Sequence, residues 1–326
     1  MKVIEDDKIT NIFIDSGFKG TYIRGVKPEI KKISDNNGEI DIFIITHVDQ
    51  DHIGGLLNFI ENDNEKFDKI VKEVWFNCYT NDTFLDFSEK ISFSQGLKLK
   101  DYLIKNDKFN DKLYFFNKKN IERNNISFLI LSPNREILKN FLLGMKKEEE
   151  VSKKIASKNN DYSCDIEELY NETFKENLTI ENLSSLAFII SINNRNFLFS
   201  GDASAKIMYS SLKDLGYSKD NKLKLDYFKL PHHGSENNLS KELLEIIECY
   251  SFIISTNGDH NNNPTKMALS RILLNKERNI EKTISFIFNY NNEVLKGIFS
   301  EEEKKKYNFK CLFPEGGEHA YTITIK

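Results

Sequence analysis

Short runs rich in isoleucine and phenylalanine recur along the whole chain, and they constrain its fold more than any other feature. Apolar runs of this length are typical of strands that are buried on both faces. The predicted strands are 11–14, 40–45, 74–76, 127–131, 186–192, 196–199, 227–230, 250–254 and 283–288. The amphipathic stretches that predict helices between many of them are 54–60, 203–215, 241–248 and, after Pro264, 265–274. This alternation of strands and helices predicts an α/β fold.

Two stretches, 82–110 and 135–182, depart from this pattern because they are rich in lysine, glutamate and asparagine and hold few uninterrupted apolar runs. We interpret them as helical insertions in a single domain covering 1–326, since the chain has only five prolines and no Gly/Ser-rich linker. The charge run 146–150 favours a solvated helical face over a lid or a partner surface. The block 301–306 is predicted to be a solvated loop or hairpin tip.

The overall charge is nearly balanced, with 46 Lys and Arg against 50 Asp and Glu and a net charge of -4. This balance argues against binding nucleic acid through bulk charge, although a local basic groove or a bound metal could still attract phosphate. No secretion signal and no run approaching about 18 apolar residues is found, which predicts a soluble, cytoplasmic protein. The four cysteines lie far apart without a Cys-x-x-Cys spacing, which predicts buried reduced thiols rather than a zinc cluster or disulfides.

The segment 44–55 holds the densest group of chemically active side chains. Four of them follow the end of a predicted strand within six residues: His47, Asp49, Asp51 and His52. Two glycines then let the chain turn tightly into a helix. Imidazoles and carboxylates at this spacing are typical of metal ligands. The alternative is a polar strand-to-helix loop in which Asp51 caps the helix and both histidines are solvated.

Two further strand ends carry side chains of the same kind. Asp202 follows the predicted strand 196–199, and the pair His232-His233 follows the predicted strand 227–230. Four of the six histidines therefore lie in loops at strand ends, where α/β sheets build their sites. This clustering favours a functional site over scattered surface histidines.

The order of these motifs resembles that of the metallo-β-lactamase fold hydrolases, and most of all the extramembrane nuclease domains of ComEC-type competence proteins. The motifs that carry the resemblance are Thr46-His47-x-Asp49-x-Asp51-His52-x-Gly54-Gly55, Gly201-Asp202, His232-His233-Gly234-Ser235, the loop 255–264 and the early Asp15-Ser16-Gly17. They span about residues 12–274, and the two insertions have no counterpart in the family. The resemblance implies a four-layer αββα metallo-β-lactamase-like sandwich with helical insertions.

Two departures from the family pattern concern the metal ligands. Asp49 stands where the common His-x-His-x-Asp-His pattern has its second histidine, as it does in ComEC-like members. Between Gly55 and Asp202 the family usually supplies another metal-binding histidine, whereas this chain has none and Asn182 is the nearest equivalent. One metal position is therefore richer in oxygen, which favours Mn²⁺ or Mg²⁺ there and leaves Zn²⁺ open at the other.

The resemblance implies that two divalent ions are bound. Their implied ligands are His47, Asp49, Asp51, His52, Asp202 and His233. In this assignment His47 and Asp49 face one ion and Asp202 bridges both. The second ion is held by Asp51 and His52, and His233 completes its ligands.

The resemblance also implies catalytic and substrate-binding roles. Asp51 would orient the attacking water, and His232, near the substrate, or His260 would protonate the leaving oxygen. For His260 the alternative is an exposed loop histidine, and His319 is predicted to be a turn residue. The implied substrate-binding residues are Asn182, Ser235, Asn257 and Asn263.

These expectations predict that the protein is a metal-dependent phosphodiesterase, most concretely a nuclease that hydrolyses DNA or RNA through a metal-bound water. Two alternatives stay open. One is phosphorylcholine-esterase-like hydrolysis of a small phosphodiester by the same residues. The other is a catalytically degenerate interaction protein that docks a protein partner through the lysine-rich insertions. Antibiotic hydrolysis is disfavoured because no export signal is found and Asp49 replaces a zinc histidine.

Overall fold

A computed structural model of the chain describes residues 1–5, 8–78, 91–108, 115–144, 160–259, 262–315 and 320–325. The chain divides into two compact units, one formed by Met1–Phe116 with Arg135–Val151 and the other by Asn117–Asn134 with Ser152–Lys326. Each unit combines a sheet with helices, so the predicted mixed α/β fold is confirmed. The single-domain organisation and the four-layer stacking stay predictions.

The first unit holds a four-stranded sheet in the order β1-β2-β3-β4. Its elements are β1 (Lys2–Glu5), β2 (Lys8–Ile14), α1 (Lys19–Thr21), a π-helical turn (Tyr22–Val26), α2 (Lys27–Asp35), β3 (Ile40–Ile44), α3 (Gln50–Asn62), α4 (Asn64–Ile70), β4 (Val71–Trp75), α5 (Ile91–Lys105) and α6 (Arg135–Gly144). β1 pairs antiparallel with β2, whereas β2, β3 and β4 run parallel. The carboxyl ends of β2 and β3 therefore lie at the same edge of the sheet.

The second unit holds an eight-stranded sheet in the order β14-β13-β12-β10-β8-β7-β6-β5, and β9 pairs separately with β11. Its elements are β5 (Asn120–Arg123), β6 (Ile126–Ser132), α7 (Ile166–Asn171), α8 (Ile180–Leu183), β7 (Ala187–Ile192), β8 (Arg195–Phe199), α9 (Ala205–Asp214), β9 (Leu223–Lys224), β10 (Tyr227–Lys229), a 3₁₀ turn (Pro231–Gly234), α10 (Lys241–Glu245), β11 (Ile247–Glu248), β12 (Ser251–Ile254), α11 (Lys266–Leu273), β13 (Ile284–Phe288), α12 (Glu293–Lys296), α13 (Glu301–Lys306) and β14 (Phe309–Leu312).

The direction of the strands in the second sheet brings several loops to one edge. β8, β10 and β12 are parallel neighbours, so the loops that follow them share that edge. β7 runs antiparallel to β8, with Phe188 opposite Phe199, so the residues before β7 lie at the same edge. The core beneath them consists of the apolar faces of these strands and of α9 and α11, including Leu198, Phe228 and Leu269.

Each of the nine predicted strands is found, with ends shifted by a few residues. The predicted helix 241–248 is wrong at its end, because α10 stops at Glu245 and Ile247–Glu248 forms β11 against Leu223–Lys224. This pairing joins segments distant in sequence, which local periodicity does not reveal.

The block 301–306 is a helix, and its prediction as a loop or hairpin tip is wrong. Ser300 and Glu303 form a reciprocal capping box at the start of α13. Glutamates occupy the first turn and lysines the last, which complements the helix dipole.

The described parts of the two predicted insertions contain helices, namely α5 in the first and α6, α7 and α8 in the second. The charge run 146–150 lies outside the described residues. Within the described ranges, no helix has both the length and the apolar character needed to cross a membrane.

Candidate metal-ligand clusters

The loop between β3 and α3 forms the first cluster. Its two histidines are buried, with His47 only 3% and His52 only 5% exposed, and their ring centroids are 4.0 Å apart. The N-cap of α3 is Asp49, whose side chain makes no capping hydrogen bond, and Asp51 lies inside the first turn. The alternative of an Asp51 cap with solvated histidines is therefore wrong. Burying polar rings without a purpose is costly, so this loop calls for a chemical explanation.

The Nδ1 atoms of both histidines belong to a hydrogen-bond network centred on Asp15. The Asp15 carboxylate accepts from His52 Nδ1 at 2.8 Å and from the Thr46 hydroxyl at 2.9 Å, and it also accepts from the Thr46 amide at 2.8 Å. Because the Thr46 hydroxyl donates its proton to Asp15, it accepts from His47 Nδ1, 3.2 Å away. Each imidazole thus carries its proton on Nδ1 and keeps Nε2 as a ligand atom.

Asp15 stays ionised in this setting. Burial by itself would raise the pKa of its carboxyl group, but electrostatic attraction to His52 and His47 and the hydrogen bonds from His52 and the Thr46 amide outweigh burial and lower the pKa. Its backbone has a left-handed φ of 56°, a conformation that aspartate adopts more readily than most residues. The strand-end turn thereby aims the carboxylate at the histidines.

In this cluster each Nε2 atom lies beside a carboxylate. His47 Nε2 is 3.5 Å from Asp49 Oδ2, and His52 Nε2 is 3.6 Å from Asp51 Oδ2. These distances are long for hydrogen bonds. Two ligand atoms that are each about 2.1 Å from one ion lie about 3.4 Å apart at a tetrahedral angle. The spacing of both pairs therefore fits a shared cation better than a direct contact.

Close packing at Gly55 fixes the position of α3 against the β2 turn. A Cβ atom at Gly55 would lie 2.4 Å from the Ser16 carbonyl oxygen and 2.7 Å from Tyr22 Cβ. The Ser16 hydroxyl donates to the His52 carbonyl at 2.7 Å and accepts from the Leu56 amide at 2.8 Å. The second glycine of the motif is required by this close approach of two backbones.

The second cluster lies in the second unit, at the carboxyl ends of β8 and β10. Asp202 is 3% exposed, and its amide donates to Ser185 Oγ at 2.9 Å. His232 Nε2 lies 3.6 Å from Asp202 Oδ2, which repeats the imidazole–carboxylate spacing of the first cluster. Both histidines of the pair have a left-handed backbone, with φ of 45° for His232 and 59° for His233. Such strain in two consecutive residues other than glycine is typical of functional loops.

The Nδ1 atoms of this histidine pair are also engaged. His233 Nδ1 donates to the Ser255 carbonyl, which can only accept. His232 Nδ1 lies 3.1 Å from Asn238 Oδ1 and 3.4 Å from Asn182 Nδ2. The ring orientations are thus set by neighbouring groups, as is usual for metal-binding histidines.

The predicted substrate-binding residues fall into two groups. Asn182 and Asn263 both contact His232, the latter by donating to its carbonyl at 3.0 Å. Ser235 forms a local turn by accepting from the Asn237 amide, and Asn257 donates to Asp259 in the loop after β12. The predicted general acid His260 and the predicted turn residue His319 lie outside the described residues.

Sequence reasoning did not identify Ser185 or Asn238 as part of the cluster. Both are fully buried polar residues that contact Asp202 or its backbone. Their signal is weak, because Asn238 is one of two consecutive asparagines after the histidine pair and Ser185 one of two serines before β7. The only available sequence clue was a set of small polar residues next to a predicted strand end.

Comparison with known proteins supports the reading of the first cluster. Residues 3–66 match the family model of the Metallo-beta-lactamase superfamily. The match to this superfamily spans β1 to the start of α4 and includes Asp15 and the whole first cluster, whereas Asp202 and the histidine pair lie beyond it. A search of curated proteins gave no match.

Solved structures with detectable likeness share little sequence with the chain. They include a CmlA beta-hydroxylase E377D mutant, with 10% identity, a TM-score of 0.34 and coverage of 85% of this chain and 43% of that one. Another is CmlA, a diiron beta-hydroxylase from Streptomyces venezuelae, with 12% identity, a TM-score of 0.34 and coverage of 72% and 40%. A metallo-beta-lactamase from Staphylococcus aureus subsp. aureus COL has 11% identity, a TM-score of 0.31 and coverage of 94% and 90%. The chain thus spans less than half the length of the two hydroxylase chains.

Five described side chains could each supply a ligand atom to a metal ion. They are His47, Asp51 and His52 in the first unit and Asp202 and His233 in the second. The donor set combines imidazole nitrogen with carboxylate oxygen, which suits zinc, manganese and iron alike. The described residues therefore fit a divalent cation and leave its identity open.

Proposed function

We propose that this protein is a metal-dependent phosphodiesterase of the ComEC-like type and that its substrate is nucleic acid. The observation that carries the proposal is the repeated pairing of an imidazole Nε2 with a carboxylate oxygen at 3.5 to 3.6 Å, in His47–Asp49, His52–Asp51 and His232–Asp202. In each pair the Nδ1 atom of the ring contacts an oxygen atom. The superfamily match over residues 3–66 supports metal-dependent hydrolysis as the general activity.

The proposed metal ligands are the residues that the motifs supply. They are His47, Asp49, Asp51 and His52 in the first unit and Asp202 and His233 in the second. When bound, two divalent ions would supply Lewis acidity and lower the pKa of a bound water from about 15.7 toward about 7. The hydrogen bonds from His52 Nδ1 to the Asp15 carboxylate and from His233 Nδ1 to the Ser255 carbonyl would keep both rings oriented for this task.

Charge explains why such a site would attract phosphate only when it is loaded with metal. In the first cluster, Asp49 and Asp51 contribute two negative charges and would repel a phosphodiester by themselves. Two bound divalent cations would reverse the sign and leave a net positive charge. A protein with balanced overall charge can therefore still bind an anionic backbone at this point.

The remaining residues would handle protons and bind the substrate. Asp51 would hold and orient the attacking water through its second carboxylate oxygen. We assign protonation of the leaving oxygen to His232 or His260. Asn182 and Asn263, whose amides already lie at His232, could donate to phosphate oxygens, and we assign Ser235 and Asn257 to the same surface.

The test is hydrolysis of bis-p-nitrophenyl phosphate, single-stranded DNA, RNA and a choline phosphodiester with Mn²⁺, Mg²⁺ or Zn²⁺. We expect cleavage of the first three that is strongest with Mn²⁺, that a chelator abolishes and that Asp51→Ala lowers at least 100-fold. The matched control is Glu61→Ala, which removes an exposed carboxylate from the same helix and should leave the rate unchanged.

The outcomes separate the open alternatives. Equal rates for the wild type and Asp51→Ala with every ion would overturn the enzymatic proposal and favour an interaction protein. Cleavage of the choline ester but not of nucleic acid would replace the nuclease by a small-molecule phosphodiesterase. A protein partner, a role of the lysine-rich insertions and a cytoplasmic location stay predictions.

A further inference from the structure

We propose that Asn238 is a positioning residue that holds His232 in the tautomer protonated on Nδ1, with Nε2 presented beside Asp202. The consequence of the inference rests on the proposed function, because His232 can protonate a leaving oxygen from Nε2 only after this nitrogen has taken up a proton, and the tautomer makes Nε2 the free nitrogen. The inference rests on the second unit alone for its geometry. No motif of the sequence analysis includes Asn238.

The orientation of the Asn238 amide is fixed by two acceptors. The side chain is fully buried, and its Nδ2 donates to the Asp202 carbonyl at 2.8 Å and to the Ala203 carbonyl at 3.2 Å. Carbonyl oxygens can only accept, so the nitrogen of the amide must face them. The Oδ1 atom is left on the side of His232.

This orientation decides where the proton of His232 lies. Asn238 Oδ1 is 3.1 Å from His232 Nδ1, and an amide oxygen can only accept, so Nδ1 carries the proton. In the neutral ring Nε2 then keeps its lone pair, 3.6 Å from Asp202 Oδ2. One asparagine therefore connects the Asp202 backbone and the ring that stands beside the Asp202 carboxylate.

Asn182 also lies near His232 Nδ1, but it does not decide the tautomer. Its contact is longer, at 3.4 Å, and joins two nitrogen atoms, of which at most one can accept. Its amide is held more weakly, through a 3.4 Å contact from the Thr179 hydroxyl. Asn182 can therefore rotate to match His232, whereas Asn238 cannot.

The loop that carries Asn238 is braced from α11. The buried Arg271 guanidinium donates to the Glu236 carbonyl at 2.6 Å and to the Leu239 carbonyl at 2.8 Å. The backbone N–H of Asn238 also donates to the Ser235 carbonyl at 3.2 Å. The backbone on both sides of Asn238 is thus fixed, which is what a positioning residue requires.

The tautomer is measured by ¹⁵N-detected NMR of histidine-labelled full-length protein, with His232→Gln to assign the signal. We expect the metal-free wild type to show a protonated Nδ1 and an unprotonated Nε2 for His232 at pH 8.5. A His232 ring protonated on Nε2 would overturn the inference directly, and this measurement needs no variant at Asn238.

Two substitutions separate positioning from simple packing. Asn238→Asp keeps an oxygen toward His232 but loses the donors to both carbonyls, and we expect it to keep the Nδ1-protonated tautomer. Asn238→Leu removes the oxygen, and we expect a mixture of the Nδ1-protonated and Nε2-protonated tautomers of His232 in the same NMR measurement. If both variants shifted the tautomer equally, Asn238 would act only through the backbone and the inference would be wrong.

Asn182→Leu is the matched control, since it removes the other amide beside the same nitrogen. It should leave the tautomer of His232 unchanged, and a shift as large as that of Asn238→Leu would contradict the assignment. If Asn238→Leu does not fold, the spectra of the wild type and of Asn238→Asp still test whether Asn238 sets the tautomer of His232. Absence of phosphodiester cleavage would remove the proposed function without changing these spectra, so the two failures are distinguishable.

Discussion

At the scale of single residues, Asp15 shows how a carboxylate outside the proposed ligand set can organise it. Its two oxygens accept hydrogen bonds from the Thr46 amide, the Thr46 hydroxyl and His52 Nδ1. The carboxylate is half-buried and negatively charged, and the lowered pKa of Asp15 reflects these partners. Removing one member of such a network leaves the others unsatisfied.

Replacing Asp15 should therefore weaken metal binding without removing a metal ligand. In Asp15→Asn the amide can still accept, but it carries no charge to raise the basicity of His52. We expect Mn²⁺ affinity to fall about 10-fold to 100-fold, measured by titration calorimetry. The control Asp35→Asn alters an exposed carboxylate paired with Lys31 and should bind as the wild type does. Equal affinities for the two variants would show that Asp15 has no such role.

Cysteine reactivity is a second residue-scale consequence of burial. Burial raises the pKa of Cys249 and of Cys311 to about 12, Cys78 is buried, and Cys164 is exposed. The prediction of buried thiols is thus wrong for Cys164. At pH 8 we expect iodoacetamide to modify Cys164 rapidly in the native protein and the other three only after denaturation, as read by mass spectrometry. Rapid labelling that persists in Cys164→Ser would contradict this expectation.

At the scale of elements, apolar runs in the sequence predicted the strands whose formation depends on their own residues. All nine strands predicted from apolar runs are present, because strands that are buried in a sheet carry such runs in their own sequence. Strands β1, β5 and β14 were missed, since edge strands such as Asn120–Arg123 and Phe309–Leu312 mix polar and apolar residues. Strands β9 and β11 have two residues each and exist only through their mutual pairing.

In the two clusters, too, the sequence revealed the residues that are close together in the chain and missed those that only the tertiary structure brings together. The residues of the first cluster were found because they lie together in sequence and fit a known motif. Asn238 and Ser185 contact Asp202 from 36 and 17 residues away, and neither carries a charge or a metal-ligand side chain. Such neutral supporting groups are recognised only when the tertiary structure brings them into hydrogen-bond distance.

The packing of α3 gives a prediction about the paired glycines of the motif. In Gly55→Ala the new Cβ would overlap the Ser16 carbonyl, so we expect a loss of about 1 to 3 kcal/mol in the free energy of unfolding. Gly54→Ala is the control in the same helix, because its Cβ would meet neighbours only at 3.4 Å or more. That variant should be neutral or up to about 1 kcal/mol more stable. Urea unfolding of both variants checks the difference, and equal losses would contradict the packing argument.

A carboxylate at the start of α11 gives a prediction about how the free energy of unfolding depends on pH. The Asp161 carboxylate accepts from the amides of Lys266 and Met267 at 2.8 Å each, yet burial, the largest influence, raises its pKa. The native state therefore favours the protonated acid. This stabilisation is complete below the unfolded value of about 4 and is lost as the pH rises through the folded pKa.

Asp161→Asn removes that ionisation while keeping an oxygen acceptor. We expect the unfolding free energy of the wild type, relative to the variant, to fall between pH 4 and pH 7. Urea unfolding across this range measures the difference, with Asp220→Asn as an exposed control. A difference that stays constant, or that grows with pH, would show that the amide hydrogen bonds outweigh burial.

At the scale of the whole molecule, a cation that binds the native fold and not the unfolded chain must raise its stability. At a free ion concentration 100 times Kd the gain is about 2.7 kcal/mol, which corresponds to about 4 °C in Tm for a chain of 326 residues. We expect Mn²⁺ to raise Tm by this order, EDTA to reverse the shift and Asp51→Ala to reduce it strongly. Glu61→Ala, on the same helix, should respond as the wild type does. Calorimetric scans that show no ion-dependent shift for the wild type with Mn²⁺, Mg²⁺ or Zn²⁺ would mean that the clustered imidazoles and carboxylates do not bind these metals in the native state.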